Sequence, residues 1–409
     1  MEEFEKQVES SSNVATMEPQ TLMQKKKPKH RNHLTLGIPK ELAKDEKRLC
    51  LRPEAIEVLV NNGFEILVEK GAGDAAMHSD KEYSEAGASI VYTAKEAFQA
   101  DIVLKVAPPT VAEIEYMKPM RTLVSSFPIN SISQELMQAI NQKKITGIAF
   151  EYIEDKVGGL PIVRAMSEIA GSTVMLISAE LLSSVNEGKG VILGGVTGVP
   201  PTKVVIIGAG TVAEYAARTA LALGAEVKIF DNHVYKLRRI KERLGQHHVY
   251  TSAIDGVMLR DALVRADVVI GAMRSDDGRA PTVVTEEMIS RMKPNSVIID
   301  VSIDQGGCFE TSEPTNHFKP TYRKFGVIHY CVPNIASRVS RTATTAFSNI
   351  FTPILMRVIE AGSVDKMMCL NGWFAKGAYS YRGGVTKQAV GEKFSLPCKN
   401  LSLILAANI

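Results

Sequence analysis

Apolar positions along this chain come in short bursts, and they begin only after a long polar start. Residues 1–33 are polar, carry no hydrophobic period and are expected to form a disordered tail. From Leu34 the pattern changes. Leu34–Ile38 reads as a short strand, and Pro53–Asn62 as a helix with Pro at its start and Gly63 closing it. Phe64–Val68, Ile102–Val106, Thr122–Ser125 and Gly147–Glu151 read as further strands. A helix rich in Ala, Leu, Ile and Met is expected over residues 166–185, where such a stripe is ordinary core. After the glycine-rich stretch 188–198, a second series of strands runs through Val204–Ile207, Val227–Phe230, Val268–Ala272 and Val297–Val301. The last helical pattern covers residues 344–361, and a Gly-rich, weakly patterned tail follows. Strands alternating with helices predict βαβ units and mostly parallel sheets, an α/β fold.

Composition narrows the class. The chain has 409 residues, enough for two domains, and 45% apolar with 23% charged residues is the mixture of a protein with a full core. A net charge of +3 is too small to point to nucleic acid or a membrane surface as partner. No apolar run approaches the roughly 18 residues of a spanning helix. The first residues, Met1–Glu5, have no signal-peptide character. The basic cluster Lys25–Arg31 reads as part of the solvated tail. Cys50, Cys308, Cys331, Cys369 and Cys398 form an odd set without C-x-x-C spacing. That argues against a disulfide framework or a metal site and for a reducing, cytoplasmic setting.

The strongest chemical signal lies at Lys203–Asp231. The β-branched run Val204–Ile207 suits a buried parallel strand. It enters Gly208-Ala209-Gly210-Thr211-Val212-Ala213, a G-x-G-x-x-A fingerprint. Gly208 permits the tight turn, Gly210 lets the backbone approach a pyrophosphate, and Ala213 keeps the helix close to the sheet. The helix Val212–Leu223 then aims its first N–H groups at the phosphates. Asp231 ends the next strand, where a carboxylate accepts from the adenosine ribose and repels a 2′-phosphate. The cofactor expected is therefore NAD.

Several segments together resemble the alanine dehydrogenase family and, more distantly, the NAD-binding domain I of proton-translocating transhydrogenase. They are Gly37–Glu41, Arg48 with Pro53, Glu69–Gly73, Leu104–Val106, Met166–Gly171, Gly194–Val199, the glycine fingerprint, Met292–Pro294, Asp300–Gly307 and Val332–Asn334. The resemblance runs from about residue 34 to 360 and weakens beyond 361. It implies two Rossmann-like domains, with the substrate domain discontinuous in sequence. Residues 34–161 and 340–409 would form that domain, and 162–339 the NAD domain. It extends the cofactor site from Gly208, Gly210, Thr211, Val212 and Asp231 to Ser167, Lys236, Thr251, Met273, Val301, Ile303, Val332 and Asn334. It also implies a homo-oligomer, a hexamer or a dimer, acting on a small amino acid and its 2-oxo acid.

On the residues alone, Arg48 reads equally as a surface arginine in the charged run 44–48, and Asp304 as a cap of the Gly306-Gly307 turn. The resemblance gives Arg48 the substrate carboxylate, which a planar guanidinium fork suits, and gives Asp304 a catalytic role. Two family residues are missing. A lysine two positions beyond Lys105 is replaced by Ala107, and an active-site histidine by Pro128. Lys105 is the nearest candidate to take over the lysine's task. The expected reaction is NAD-dependent oxidative deamination of L-alanine to pyruvate and ammonia. The alternatives are a member that binds NAD(H) without that activity and a transhydrogenase-like domain.

Overall fold

The computed structural model describes residues 34–129, 132–245, 249–275 and 278–407; the expected tail, 1–33, lies outside them. Fifteen strands among the described residues make two sheets. The first contains β1 (Leu34–Ile38), β2 (Phe64–Glu69), β3 (Ser89–Val91), β4 (Ile102–Leu104), β5 (Thr122–Ser125) and β6 (Thr146–Ala149). The second contains β7 (Lys203–Ile207), β8 (Glu226–Phe230), β9 (Val249–Ser252), β10 (Val268–Gly271), β11 (Val297–Asp300), β12 (Thr321–Lys324) and β13 (Val327–Tyr330). Late in the chain, β14 (Ala378–Tyr381) and β15 (Gly384–Val385) return to the first sheet. The strand orders are β15-β14-β6-β5-β4-β1-β2-β3 and β12-β13-β11-β10-β7-β8-β9. All pairs are parallel except β12–β13, β6–β14 and β14–β15, so the sheets are mixed at their edges.

Both sheets are covered on both faces, which explains the unbroken apolar runs of their strands. Side chains alternate across a strand. Ile102 and Leu104 of β4 enter one core and Val103 the core behind it. Val204 and Ile206 of β7 enter one core, and Val205 and Ile207 the other.

The helices between and beyond these strands include α1 (Pro53–Asn61), α2 (Val111–Tyr116), α3 (Pro161–Leu182), α4 (Thr211–Ala222), α5 (Val234–Arg243), α6 (Ser340–Ala361) and α7 (Gln388–Phe394). Helix α3 starts five residues earlier than its apolar stripe suggested, because Pro161 occupies its first position, where a missing N–H costs nothing. It is the one helix among the described residues with the length and hydropathy of a membrane span. Ala170, Val174, Met175 and Ile177 on it belong to the core. A Cβ on its Gly171 would lie 2.4 Å from the Val212 carbonyl, so glycine sets how closely α3 and α4 pack.

Four strands end sooner than expected: Ile102–Val106 stops at Leu104 and Val268–Ala272 at Gly271, and the other two run into turns. Gly147–Glu151 leaves the sheet at Ala149, and Phe150–Tyr152 form a 3-10 turn. Val297–Val301 stops at Asp300, and Val301–Gln305 form another. The tail after residue 361 is not weakly structured. Met367, Met368, Phe374, Ala378, Tyr381 and Leu405 are buried in the first sheet's core, beside Phe347 and Phe351 of α6.

Candidate active site

In open α/β sheets, ligands bind beyond the carboxyl ends of the strands. Here both sheets present those ends to one cleft of about 2300 Å³. From the first sheet come Val106–Pro108 after β4, Ser126 and Pro128 after β5, and Phe150–Tyr152 after β6. From the second come Val212, Ala272–Ser275, Val301, Ser302, Asp304 and Val332–Ala336. The C-terminal segment adds a third wall that includes Thr386–Ala389 and Lys399–Ser402.

The glycine loop has the form its sequence demands. Gly208 has φ +108°, and a Cβ there would lie 2.3 Å from the Ala272 carbonyl oxygen. Gly210 is different: a Cβ on it would meet nothing within 4 Å, so glycine there keeps a space open. Gly210 also caps α4 without any side-chain hydrogen bond, which leaves the helix's first N–H groups to a ligand. Open space beside unpaired donors at a helix start fits the pyrophosphate of a dinucleotide. Asp231 is buried after β8. Its Oδ2 accepts from the Ala209 N–H at 2.8 Å and its Oδ1 from the His233 N–H at 2.7 Å. It therefore braces the loop, and a carboxylate's remaining lone pairs suffice for a ribose hydroxyl.

Among the expected cofactor residues, Ser167, Val212, Met273, Val301, Val332 and Asn334 line the cleft. Gly208, Gly210 and Thr211 adjoin Val212. Ile303 is buried in the 3-10 turn beneath Asp304. Asp231, Lys236 on α5 and Thr251 on β9 lie outside the cleft lining, on the far side of the glycine loop. Asn334 adopts the left-handed conformation, φ 55°, which asparagine tolerates.

The opposite wall holds Arg48. Its Nε and Nη2 donate to Glu46 Oε1 and Oε2 at 2.7 and 2.6 Å, and its guanidinium stands 5.6 Å from the Phe347 ring centroid. Glu46 thus takes two of five donors and leaves three. Burial opposes the charge of Arg48, but Glu46, Asp304 and Glu41 outweigh it and hold its pKa above the ordinary range. Asp304 is accessible from the cleft yet enclosed by both sheets. Loss of bulk water raises its carboxyl to about 6, against the pull of Arg48 and the Asn334 backbone. One residue from each wall thus meets electrostatically across the cleft.

Ala107 and Pro128 both line the cleft, so the two positions at which the resemblance implied a lysine and a histidine present apolar groups there. Lys105 does not reach it. Its side chain is 2% exposed, and its Nζ lies 3.1 Å from Glu113 Oε1 on α2 and 3.6 Å from Glu41 Oε2. Glu41 in turn accepts from the Val106 and Ala107 N–H groups, at 2.5 and 3.3 Å. This ion cluster fixes the end of β4 from beneath, and the expectation that Lys105 substitutes for the missing lysine does not fit it.

The sequence reading missed Glu46, Glu151, Arg274 and Lys387, all of which line the cleft. Glu46 is two residues from Arg48 in an extended segment, a spacing that places both on one side. Glu151 is an acid at the end of a buried strand, itself a signal, since such acids are rarely buried unpaired. Lys387 lies where the pattern is weak, and nothing in the sequence marks it.

Comparison with known proteins agrees with this geometry. The family described as "Alanine dehydrogenase/PNT, C-terminal domain" matches residues 174–388, and its N-terminal counterpart residues 37–170. The chain is 38% identical over 366 residues to an alanine dehydrogenase of Methanococcus maripaludis, covering 89% of this chain and 97% of that one. It is 38% identical over 360 residues to an alanine dehydrogenase of Bacillus subtilis, covering 88% and 94%. A solved L-alanine dehydrogenase superposes with a TM-score of 0.83 at 36% identity, over 88% of this chain and 99% of that one. A transhydrogenase from Sinorhizobium meliloti shares the fold, with a TM-score of 0.74 at 24% identity over 87% and 99%.

Proposed function

Since this chain belongs to the alanine dehydrogenase/PNT family, we propose that it is an NAD-dependent dehydrogenase that deaminates L-alanine. L-Alanine, NAD⁺ and water give pyruvate, ammonium, NADH and a proton. The observation that carries this reading is the meeting of Arg48 from one sheet and Asp304 from the other in a single cleft beside the glycine loop.

Within this reading, residues 34–161 and 340–409 form the substrate domain and 162–339 the cofactor domain. The glycine loop and the first turn of α4 hold the pyrophosphate, Asp231 the adenosine ribose, and Ser167, Met273, Val301, Val332 and Asn334 line the nicotinamide end. Lys236, Thr251 and Ile303 support the adenosine side and the turn. Bound NAD⁺ supplies the acceptor for the hydride that leaves the substrate Cα. Arg48 grips the carboxylate with the donors that Glu46 leaves free, which fixes the face that Cα presents. Asp304 orients water or ammonia at the same carbon. The protein assembles as a homo-oligomer, which light scattering will test.

The test is an absorbance assay of the purified protein with NAD⁺ and a panel of L-amino acids, beside calorimetry with NADH and NADPH. We expect turnover fastest with L-alanine, and NADH bound more tightly than NADPH because Asp231 faces the ribose. A second reading rests on Ala107 and Pro128: a family member that binds NAD(H) without deaminating amino acids. Tight NADH binding with no turnover across the panel would establish it instead.

A further inference from the structure

The proposed deamination needs two services that positions 107 and 128 cannot give. Water must lose a proton as it adds to the imine carbon, and the oxygen that becomes the keto oxygen must be held by a donor as charge develops on it. Ala107 offers a methyl group and Pro128 a ring with no titratable group, while Lys105 is held beneath the cleft floor by Glu113 and Glu41.

The cleft lining nevertheless includes a carboxylate next to Pro128, Glu151, and an ammonium, Lys387. Glu151 follows β6, the neighbour of β5 in the sheet, and its Oε1 accepts from the Phe127 N–H at 2.7 Å. Its carboxylate is therefore anchored one peptide away from Pro128. Oε2 is buried and has no hydrogen-bond partner. A buried carboxylate oxygen without a partner is costly, and such a group asks for a ligand or a proton. Burial pushes the Glu151 carboxyl up to about 7; its own and Phe127's N–H groups, Lys387 and Arg274 only partly offset that.

Lys387 reaches the same place from the chain's other end. Strand β14 pairs antiparallel with β6, Ala378 opposite Ile148 and Ser380 opposite Gly147, and β15 turns back from it. The residues after β15 then descend past the end of β6. There the Lys387 ammonium stands 4.0 Å over the Tyr152 ring centroid, next to Glu151 in sequence and lining the same cleft. Burial lowers the pKa of Lys387, opposed by Glu151 and Glu154, with Lys376 adding to the lowering. Lys376 and Glu154 are themselves paired at 2.7 Å, and of the two carboxylates that favour the charge of Lys387, Glu151 is the stronger.

We propose that Glu151 and Lys387 act as a pair in this cleft, Glu151 carrying the proton and Lys387 polarising the substrate oxygen, in place of the groups absent at 107 and 128. The inference rests on the deamination reading above. Once hydride has left Cα, the substrate is an iminium. Water forms the C–O bond as one of its protons passes to Glu151, and the C=N electron pair moves to nitrogen. Glu151 returns that proton to nitrogen. The C–N bond then breaks with its pair on the departing ammonia, and the remaining hydroxyl proton passes to Glu151 as the carbonyl forms. Lys387 donates to that oxygen throughout and keeps its proton.

Three variants test this: Glu151→Gln, Lys387→Met and Lys387→Arg. Glu151→Gln is expected to lower kcat for L-alanine by about 100-fold or more and to abolish the limb of the pH–rate profile near 7. Lys387→Met is expected to lower kcat similarly and move that limb to higher pH, since Glu151 loses a neighbouring cation, and Lys387→Arg to restore part of both. A limb unmoved in Lys387→Met, or full turnover in Glu151→Gln, overturns the proposal. Calorimetry of pyruvate binding to the protein–NADH complex separates this outcome from failure of the deamination reading. If the unmutated protein binds pyruvate but turns over no amino acid, that reading fails. The pairing then stands if Lys387→Met weakens pyruvate by about tenfold or more, and falls if affinity is unchanged. Melting temperatures and NADH affinity close to the unmutated values show that the variants fold.

Discussion

Lys105 shows how a residue's task depends on its depth rather than its type. In sequence it is the titratable group nearest the missing lysine. In the fold it is 2% exposed and its charge is spent on Glu113 and Glu41. Removing one member of a buried ion cluster leaves the others uncompensated, at a cost of about 3 kcal/mol or more. Lys105→Met should therefore lower the unfolding midpoint in urea strongly while NADH affinity at low temperature stays near the unmutated value. Loss of turnover with unchanged stability would return Lys105 to the chemistry. Arg48 and Asp304 were reached only through the family resemblance, whereas Gly208, Gly210 and Asp231 were legible from a local motif in which neighbouring positions explain one another. Glu151 and Lys387 were not, because residues 236 positions apart are joined only by the pairing of β14 with β6.

At the scale of elements, strand centres were readable, and strand ends only in part: β1 and β5 begin and end where expected, whereas four others stop sooner. Continuous burial makes Val204–Ile207 or Val297–Ile299 apolar regardless of the turn that succeeds them. The 3-10 turns at Phe150–Tyr152 and Val301–Gln305 carry no such pattern, yet they hold Glu151 and Asp304. The glycine loop allows a sharper test, since its two glycines serve different ends. Gly208→Ala places a Cβ against the Ala272 carbonyl at a left-handed φ, and should destabilise the fold. Gly210→Ala meets open space at an ordinary φ of −86°, and should leave the melting temperature nearly unchanged. It should still weaken NADH by about tenfold or more, or about 1.4 kcal/mol, because the added methyl occupies the space kept for phosphate. Unchanged NADH affinity in Gly210→Ala would remove the pyrophosphate from this loop.

The whole molecule holds, among the described residues, four carboxyl groups with pKa raised by burial: Glu151 at about 7 and Asp304 at about 6 line the cleft, while Glu41 at about 7 and Asp300 lie outside its lining. Each raised carboxyl stabilises the fold fully below its unfolded pKa near 4.5 or 3.8, and loses that contribution as pH rises through its folded value. His78, His317 and His329 have pKa values lowered from 6.5 by burial, so their contribution is complete above 6.5 and disappears only at lower pH. From about pH 6.5 to about pH 8 the carboxyls therefore govern, and the melting temperature should fall. Glu41→Gln should flatten that fall; a melting temperature that rises across the window would contradict the buried placement of the Glu41 and Glu151 carboxyls. The central claim is that one cleft brings an amino acid's Cα to the nicotinamide. The direct measurement is transfer of label from L-alanine deuterated at Cα to NAD⁺, followed by NMR of the recovered dinucleotide. Deuterium at nicotinamide C4, on one face only, is the predicted result. Reduced cofactor without deuterium, or no reduced cofactor at all, would contradict it.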